Sequence, residues 1–319
     1  MIETPLYQEL KVFTGNAHPA LAGDICEYLE KPVGQCQVFE FSNENIFVRF
    51  LENIRARDVF LVQPIASPVN TRLMELFIMI DAAKRASAGR ITAVVPYYGY
   101  GLSDKKDQPR VPITARLIAN FIETAGADRL LTVDLHAGQV QGFFNVPVDE
   151  LTALTLLARY FREKKLKDLT VVATDVGGAK RARNMADLLK VPLAIVEKRR
   201  IGNDEKVQAL NMIGEVKGTN ALIVDDEVNT AATMVATAEI VLRNGAKEVY
   251  AAATHPILSG PAVERLEKSP IKELVFTDTI PLPPEKRLPK FKIISLAPLL
   301  GEAIRRIHTG QSVGALFDE

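Results

Sequence analysis

Residues 221–233 read ALIVDDEVNTAAT, an apolar, β-branched run that ends at two adjacent carboxylates, Asp225 and Asp226, followed by hydroxyls and small residues. The run reads as a buried strand, and helical spacing follows from 234 to 244. Phosphate can sit on the N–H groups of such a helix's first turn, where the dipole favours an anion, while acids just before it can hold sugar hydroxyls or a cation. The alternative is a surface loop whose acids merely cap the helix. The theme of a strand finishing in polar groups recurs at Asp134 and His136, and again at Asp175, where Lys180, Arg181 and Arg183 follow near a helix start and oppose its dipole, as an anion site would require. Two charged loops complete the set: 101–110, with Lys105 and Lys106, and 197–206, with Lys198 and Arg200. Carboxylates with one histidine suit a hard cation such as Mg²⁺ that shares its coordination with phosphates. Basic loops suit a polyphosphate whose charge must be neutralised during transfer. No Walker A sequence or protein-kinase motif set is present. The residues point to a Mg²⁺-dependent enzyme handling a sugar phosphate or nucleotide.

The elements that must position these groups alternate between strand and helix along the chain. Strands are expected at 10–15, 37–41, 46–50, 58–62, 91–100, 129–136, 169–175, 193–196, 248–253, 274–277 and 291–295. Helices are expected at 19–29, 73–86, 114–124, 151–161, after 179, and at 299–308. This is the pattern of α/β domains with sheets covered by helices, and in open parallel sheets ligands bind beyond the carboxyl ends of the strands. With 319 residues, 47% of them hydrophobic, the chain has material for two domains, divided near Asp149 into 1–149 and 150–319, with the last helix packing back on the first. Lys+Arg 39 against Asp+Glu 39 gives no net charge to attract nucleic acid or an anionic membrane. Cys26 and Cys36 form no disulfide framework or zinc spacing, no apolar run approaches the roughly 18 residues of a membrane span, and the N-terminal residues lack a secretory pattern, so a cytoplasmic protein is expected.

Several motifs in order resemble the ribose-phosphate pyrophosphokinase (phosphoribosyl diphosphate synthetase) family over nearly the whole length. They include Asn70 with Leu73-Met74-Glu75-Leu76, Arg85-Ala86-Ser87-Ala88, the run 91–100, Arg110-Val111-Pro112-Ile113, the run 133–137, Gln141-Gly142-Phe143-Phe144, Lys198-Arg199-Arg200, Val224-Asp225-Asp226, and Ala253-Thr254-His255-Pro256 with Ser259-Gly260. The resemblance implies two phosphoribosyltransferase-like (Rossmann-like) α/β domains with mostly parallel sheets. It also implies transfer of the diphosphoryl group of ATP to ribose 5-phosphate, giving AMP and phosphoribosyl diphosphate. Asp225 and Asp226 would hold the ribose hydroxyls, with Asn229, Thr230, Ala231, Ala232 and Thr233 around the 5-phosphate. Lys198 and Arg200 would stabilise the transferring group, with His136, and His136 and Asp175 would attend Mg²⁺ and the ATP phosphates. Phe41, Asn43 and Asn45 would contact adenine, in this family across a subunit boundary, and Leu102, Ser103, Asp104 and Lys105 would lie on the ATP side. A homo-oligomer, a hexamer built from dimers, follows from the same resemblance. So do phosphate and ADP as effectors, with Arg49, Ser87 and Ser312 in segments similar to those that build that site.

The chain departs from the family pattern at four places. Asn43-Glu44-Asn45 stands where Asp-Gly-Glu is usual, and Leu102-Ser103 where Arg-Gln is common; Lys105 and Lys106 can replace the lost cation only as point charges. Asn229 replaces an Asp, and Ala231-Ala232 replace two glycines. Each alanine still offers a backbone N–H, so the cradle is expected to work in a conformation that tolerates Cβ. An active synthetase and a non-catalytic paralogue that binds an active one both remain open on these residues.

Overall fold

The computed structural model describes residues 7, 9–198 and 210–317. They fall into two compact units, Met1–Thr152 with Thr279–Pro281 and Ser295–Glu319, and Ala153–Asp278 with Leu282–Ile294.

The first unit is built on a wholly parallel sheet of β1 (Leu10–Thr14), β4 (Asp58–Val62), β5 (Arg90–Val95), β6 (Arg129–Val133) and β7 (Val148–Leu151), in that spatial order. β4 and β5 are buried at every position, as expected of strands covered on both faces. Helices α1 (Pro19–Tyr28), α2 (Val69–Arg85) and α3 (Thr114–Ala125) alternate with the strands, and an antiparallel hairpin, β2 (Cys36–Glu40) and β3 (Ile46–Phe50), is inserted after α1. One face of the hairpin, with Cys36, Val38, Val48 and Phe50, packs on the core formed by Leu61, Leu76, Ile80 and Ala93. β7 was not expected. Its Pro-flanked, acidic sequence hides a strand that only pairing with β6 reveals, so Leu151, expected in a helix, closes a strand and the helix begins later.

In the second unit α4 (Leu154–Lys164), β8 (Leu169–Ala173), α5 (Ala179–Leu189), β9 (Leu193–Lys198), β10 (Leu210–Ile213), β11 (Asn220–Glu227), α6 (Ala232–Arg243), β12 (Glu248–His255), α7 (Ala262–Lys268), β13 (Ile271–Thr277) and β14 (Phe291–Ile294) follow. The seven strands lie in the order β10-β9-β8-β11-β12-β13-β14, parallel except for β10 against β9. Period-two alternation sends Ala221 and Ile223 to a core with α6 and α7, and Leu222 and Val224 to a core with α4 and α5. The order reverses between β8 and β11, a topological switch point of the kind that opens a crevice at strand ends.

The last helix, α8 (Ala297–Thr309), belongs to the first unit and is clasped at its C-terminal end. Asp58, fully buried, accepts from Nε of Arg90 at 2.8 Å and Nη2 at 2.6 Å, while the same Nη2 donates to the Ile307 carbonyl at 2.9 Å and His308 Nδ1 lies 2.8 Å from Asp58. Removing one member of such a buried pair leaves an uncompensated charge. Asp58→Ala is therefore expected to destabilise by about 3–5 kcal/mol in urea unfolding, whereas Arg85→Ala, which breaks an exposed pair with Asp81, should change stability by less than about 0.5 kcal/mol.

Candidate active site

The strand that carries the carboxylates does not stop at them. β11 continues through Asp225, Asp226 and Glu227, with Asp225 in register with Ala253 and Glu227 with His255, because β12 extends alongside it as far as His255. Polar residues at these positions break the apolar pattern but not the ladder, since backbone pairing is indifferent to side-chain type. Asp225 is half-buried and Asp226 is 7% exposed. Asp225 Oδ1 accepts from the Asp226 N–H at 3.0 Å, and Oδ2 from the hydroxyl of Thr174 at 3.1 Å, a residue just past β8 on the other side of the switch point. Burial, then the neighbouring Asp226 carboxylate, pushes the Asp225 carboxyl up to about 8, and the two donors act against that rise.

Four residues further on, α6 begins at Ala232, two positions before the expected start. Its N-cap is Ala231, with φ +61° and ψ +2°, and no side chain caps the helix. The N–H groups of the first turn are thus left to whatever ligand arrives. This corrects the expectation about the cradle: Ala231 occupies the left-handed region, where Cβ crowds the following carbonyl, at a cost of roughly 1–2 kcal/mol. The loop is held there by its surroundings. The Ser259 hydroxyl donates to Asn229 Oδ1, the Ser259 N–H donates to the Asn229 carbonyl at 2.9 Å, and Arg265 Nη1 donates to the Thr230 carbonyl at 3.0 Å. Thr230, Ala232 and Thr233 are exposed around this terminus. Ser259 and Arg265 were not among the candidate site residues, and their only prior signal was the Ser259-Gly260 motif.

Asp175 follows β8. Its Oδ1 accepts from the Gly178 N–H at 2.9 Å, just before α5, whose first turn carries Lys180 and Arg181. Lys198, expected on a loop, has its backbone at the end of β9, paired with Leu210. Arg200 lies outside the described residues.

In the first unit, His136 is exposed in the turn beyond β6 rather than on the strand, which ends at Val133. The 101–110 loop runs beside it: a Cβ added at Gly101 would stand 4.0 Å from His136 Cβ. Leu102 is 52% exposed and Lys105 is exposed, and the Ser103 N–H closes a turn onto the Tyr100 carbonyl at 3.0 Å. Asp104 differs from the exposed residues of this charged loop. It is buried and accepts from Gln139 Nε2 at 2.6 Å, because a short carboxylate facing an amide can be satisfied inside the loop. The turn with Phe41, Asn43 and Asn45 lies at the tip of the β2–β3 hairpin. The Glu44 N–H donates to the Phe41 carbonyl at 2.9 Å, the Phe41 N–H to the Asn45 carbonyl at 2.8 Å, and Glu44 has φ +66°, the geometry of a three-residue loop whose left-handed position favours glycine. Phe41 is 48% exposed and packs edge-on to Phe39 and Phe47.

Comparison with known proteins bears on both units. A family model described as the N-terminal domain of ribose phosphate pyrophosphokinase matches residues 10–126, and one described as a phosphoribosyl synthetase-associated domain matches residues 201–318. Ribose-phosphate pyrophosphokinases of Caldanaerobacter subterraneus and Bacillus subtilis are 53% and 48% identical to the chain, each over 97% of this chain and 98% of the relative. A crystal structure of phosphoribosylpyrophosphate synthetase from Mycobacterium smegmatis matches with a TM-score of 0.90 and 42% identity, covering 94% of this chain and 99% of that one.

Two outcomes test the geometry. Ala231→Gly is expected to stabilise the protein by about 0.5–1 kcal/mol, the relief of the left-handed Cβ less the entropy of glycine, whereas Ala232→Gly, inside the helix, should destabilise it; urea midpoints compare the two. For Asp225, a folded value raised above the unfolded one means that its contribution to stability is complete below about pH 4 and lost as pH rises through about 8. Asp225→Asn should therefore gain on the wild type in unfolding midpoint between about pH 5.5 and about pH 8.5, and an unchanged difference would show ordinary ionisation.

Proposed function

The chain belongs to the ribose-phosphate pyrophosphokinase family, and from that premise we propose that it transfers the β,γ-diphosphoryl group of ATP to the anomeric hydroxyl of ribose 5-phosphate, giving 5-phosphoribosyl 1-diphosphate and AMP. The observation that carries this reading for the chain's own residues is the uncapped first turn of α6 directly after the Asp225-Asp226 pair. An anion at that terminus and a polyol at the carboxylates are together the two ends of a sugar phosphate.

Asp225 and Asp226 accept hydrogen bonds from the ribose hydroxyls and so orient the sugar. Asn229, Thr230, Ala231, Ala232 and Thr233 surround the 5-phosphate with N–H and hydroxyl donors. The anomeric oxygen then attacks the β-phosphorus as the bond from that phosphorus to the AMP oxygen breaks. Lys198 and Arg200, at and beyond the carboxyl end of β9, neutralise charge on the transferring group, a stabilisation commonly worth several kcal/mol in such chemistry. On the ATP side, Phe41, Asn43 and Asn45 hold adenine, and His136 with Leu102, Ser103, Asp104 and Lys105 line the phosphates. This division of labour gives 1–149 the nucleotide and 150–319 the sugar phosphate.

Mg²⁺ is the expected cofactor, with His136 and Asp175 as its protein partners. Among the described residues the half-buried Asp175 engages Oδ1 at Gly178, which leaves its other oxygen to a cation. Among the described residues no three His, Cys, Asp or Glu side chains gather into a cage, and such a donor set suits an ion that takes its remaining ligands from phosphates and water. Bound with the nucleotide, Mg²⁺ would offset the charge of the polyphosphate.

The same reading makes the protein a cytoplasmic homo-oligomer, a hexamer, with phosphate and ADP acting near Arg49, Ser87 and Ser312. The exposure of Phe39 and Phe41 on the hairpin supports a partner subunit. Among the described residues no helix is long and apolar enough to cross a membrane.

Purified protein with Mg²⁺, ATP and ribose 5-phosphate is expected to release AMP and phosphoribosyl diphosphate in equal amounts. Asp226→Asn should raise the KM for ribose 5-phosphate about tenfold or more while leaving that for ATP within about twofold. Binding of both substrates without either product would favour the non-catalytic paralogue.

A further inference from the structure

The first unit holds a largely buried polar cluster that the proposed chemistry does not use. Glu75, on α2, is 3% exposed; its Oε1 accepts from Asn16 Nδ2 at 2.7 Å and Arg72 Nη1 at 2.6 Å, and its Oε2 from Nε2 of the fully buried Gln63 at 2.6 Å. Gln63 also accepts from the Ala17 N–H at 3.1 Å and donates to the Arg72 carbonyl at 3.2 Å. Residues 15–17 and Gln63 lie just past the carboxyl ends of the neighbouring strands β1 and β4, and a Cβ on Gly15 would stand 2.5 Å from Gln63 Oε1. Apolar side chains would fill this space at less electrostatic cost, but a hydrogen-bonded polar cluster is directional where apolar packing is not.

The cluster's outward connection is Asn16. Its Nδ2 group donates to Glu75 and also, at 3.1 Å, to the Val38 carbonyl on β2. Phe41 pairs with Asn45 through the main chain and Val38 is in register with Val48, so by the alternation of an antiparallel ladder the Val38 carbonyl points off the hairpin's edge, towards an external donor. Val38 stands three residues before Phe41. Apolar packing of Cys36, Val38, Val48 and Phe50 holds the hairpin onto the core, while the Asn16 bond fixes its direction.

We propose that Asn16 is a positioning residue for the nucleotide: by bridging the buried Glu75 carboxylate to the Val38 carbonyl, it sets the angle at which the β2–β3 hairpin presents Phe41, Asn43 and Asn45 to adenine. This rests on the reading of that turn as the adenine contact. Asn16 is exposed, so its replacement leaves the core intact.

The test is steady-state kinetics on the full chain with Mg²⁺, varying ATP and ribose 5-phosphate separately, for wild type, Phe41→Ala, Asn16→Ala and the isosteric Asn16→Asp, which lacks the donor. Both Asn16 variants are expected to raise the KM for ATP about fivefold to tenfold, the equivalent of one hydrogen bond, with the KM for ribose 5-phosphate and kcat within about twofold. Phe41→Ala should raise the KM for ATP at least as much. A wild type without turnover overturns the functional reading and the proposal with it. An active wild type whose ATP KM ignores Phe41→Ala overturns the adenine role of the hairpin. If Phe41→Ala raises the ATP KM and the Asn16 variants do not, or if they lower kcat and thermal stability with no KM split, the positioning role alone is overturned.

Discussion

Two carboxylates held next to each other near the carboxyl end of the central strand β11 are the constraint around which the second unit is arranged. Burial disfavours the charged form of Asp225 and the neighbouring Asp226 carboxylate adds repulsion to that, so the Asp225 carboxyl rises to about 8. The fold tolerates the pair because Asp225 is met by fixed donors: the Asp226 N–H and the Thr174 hydroxyl across the switch point. None of these donors removes the repulsion. What remains is a site that gains most when donors from outside, such as sugar hydroxyls, or a cation arrive, so the stability that the unliganded pair forgoes is available to binding.

A second constraint is shared by both units. Glu44 and Ala231 both take left-handed backbone conformations at turns where the family pattern has glycine, one at the hairpin tip and one at the phosphate cradle. Side chains at such positions narrow the accessible backbone of the unfolded chain while straining the folded one. Both turns are nevertheless braced. The hairpin turn closes with two main-chain hydrogen bonds and the Asn43 side chain on the Asn45 N–H at 3.2 Å, and the cradle with Ser259 and Arg265. The departures thus alter the local energy of the turns without changing the path of the chain. Cys26 and Cys36 have the opposite character: burial pushes both thiols up to about 11, which makes them packing residues without reactivity.

Most helices and central strands were legible because their apolar residues recur at helical spacing or run on without a break. The strand 58–62, for instance, coincides with β4, and the helical spacing of 114–124 with α3, which runs one residue further. Elements with weak periodicity were missed: β7 reads as a Pro-containing loop, and β10 and α7 lie in polar stretches too short to show a pattern. Strand ends were drawn short at Glu197 and at Asp225 for one reason, that charged residues ended the apolar run while the neighbouring strand continued to pair.

From the amino-acid order alone came the alternating α/β plan, the family resemblance, and the candidate groups proposed for phosphate, sugar and cation, because residue type and spacing are properties of the chain itself. The tertiary structure decided how those groups meet. It made β8 and β11 neighbours, which turned Thr174 and Asp225 into partners 51 residues apart in sequence. It drew Asn16, Gln63 and Glu75 into one hydrogen-bonded cluster, and it placed Ala231 in the left-handed region. Strand order, desolvation and the sign of a backbone angle are consequences of long-range packing, and no local pattern encodes them.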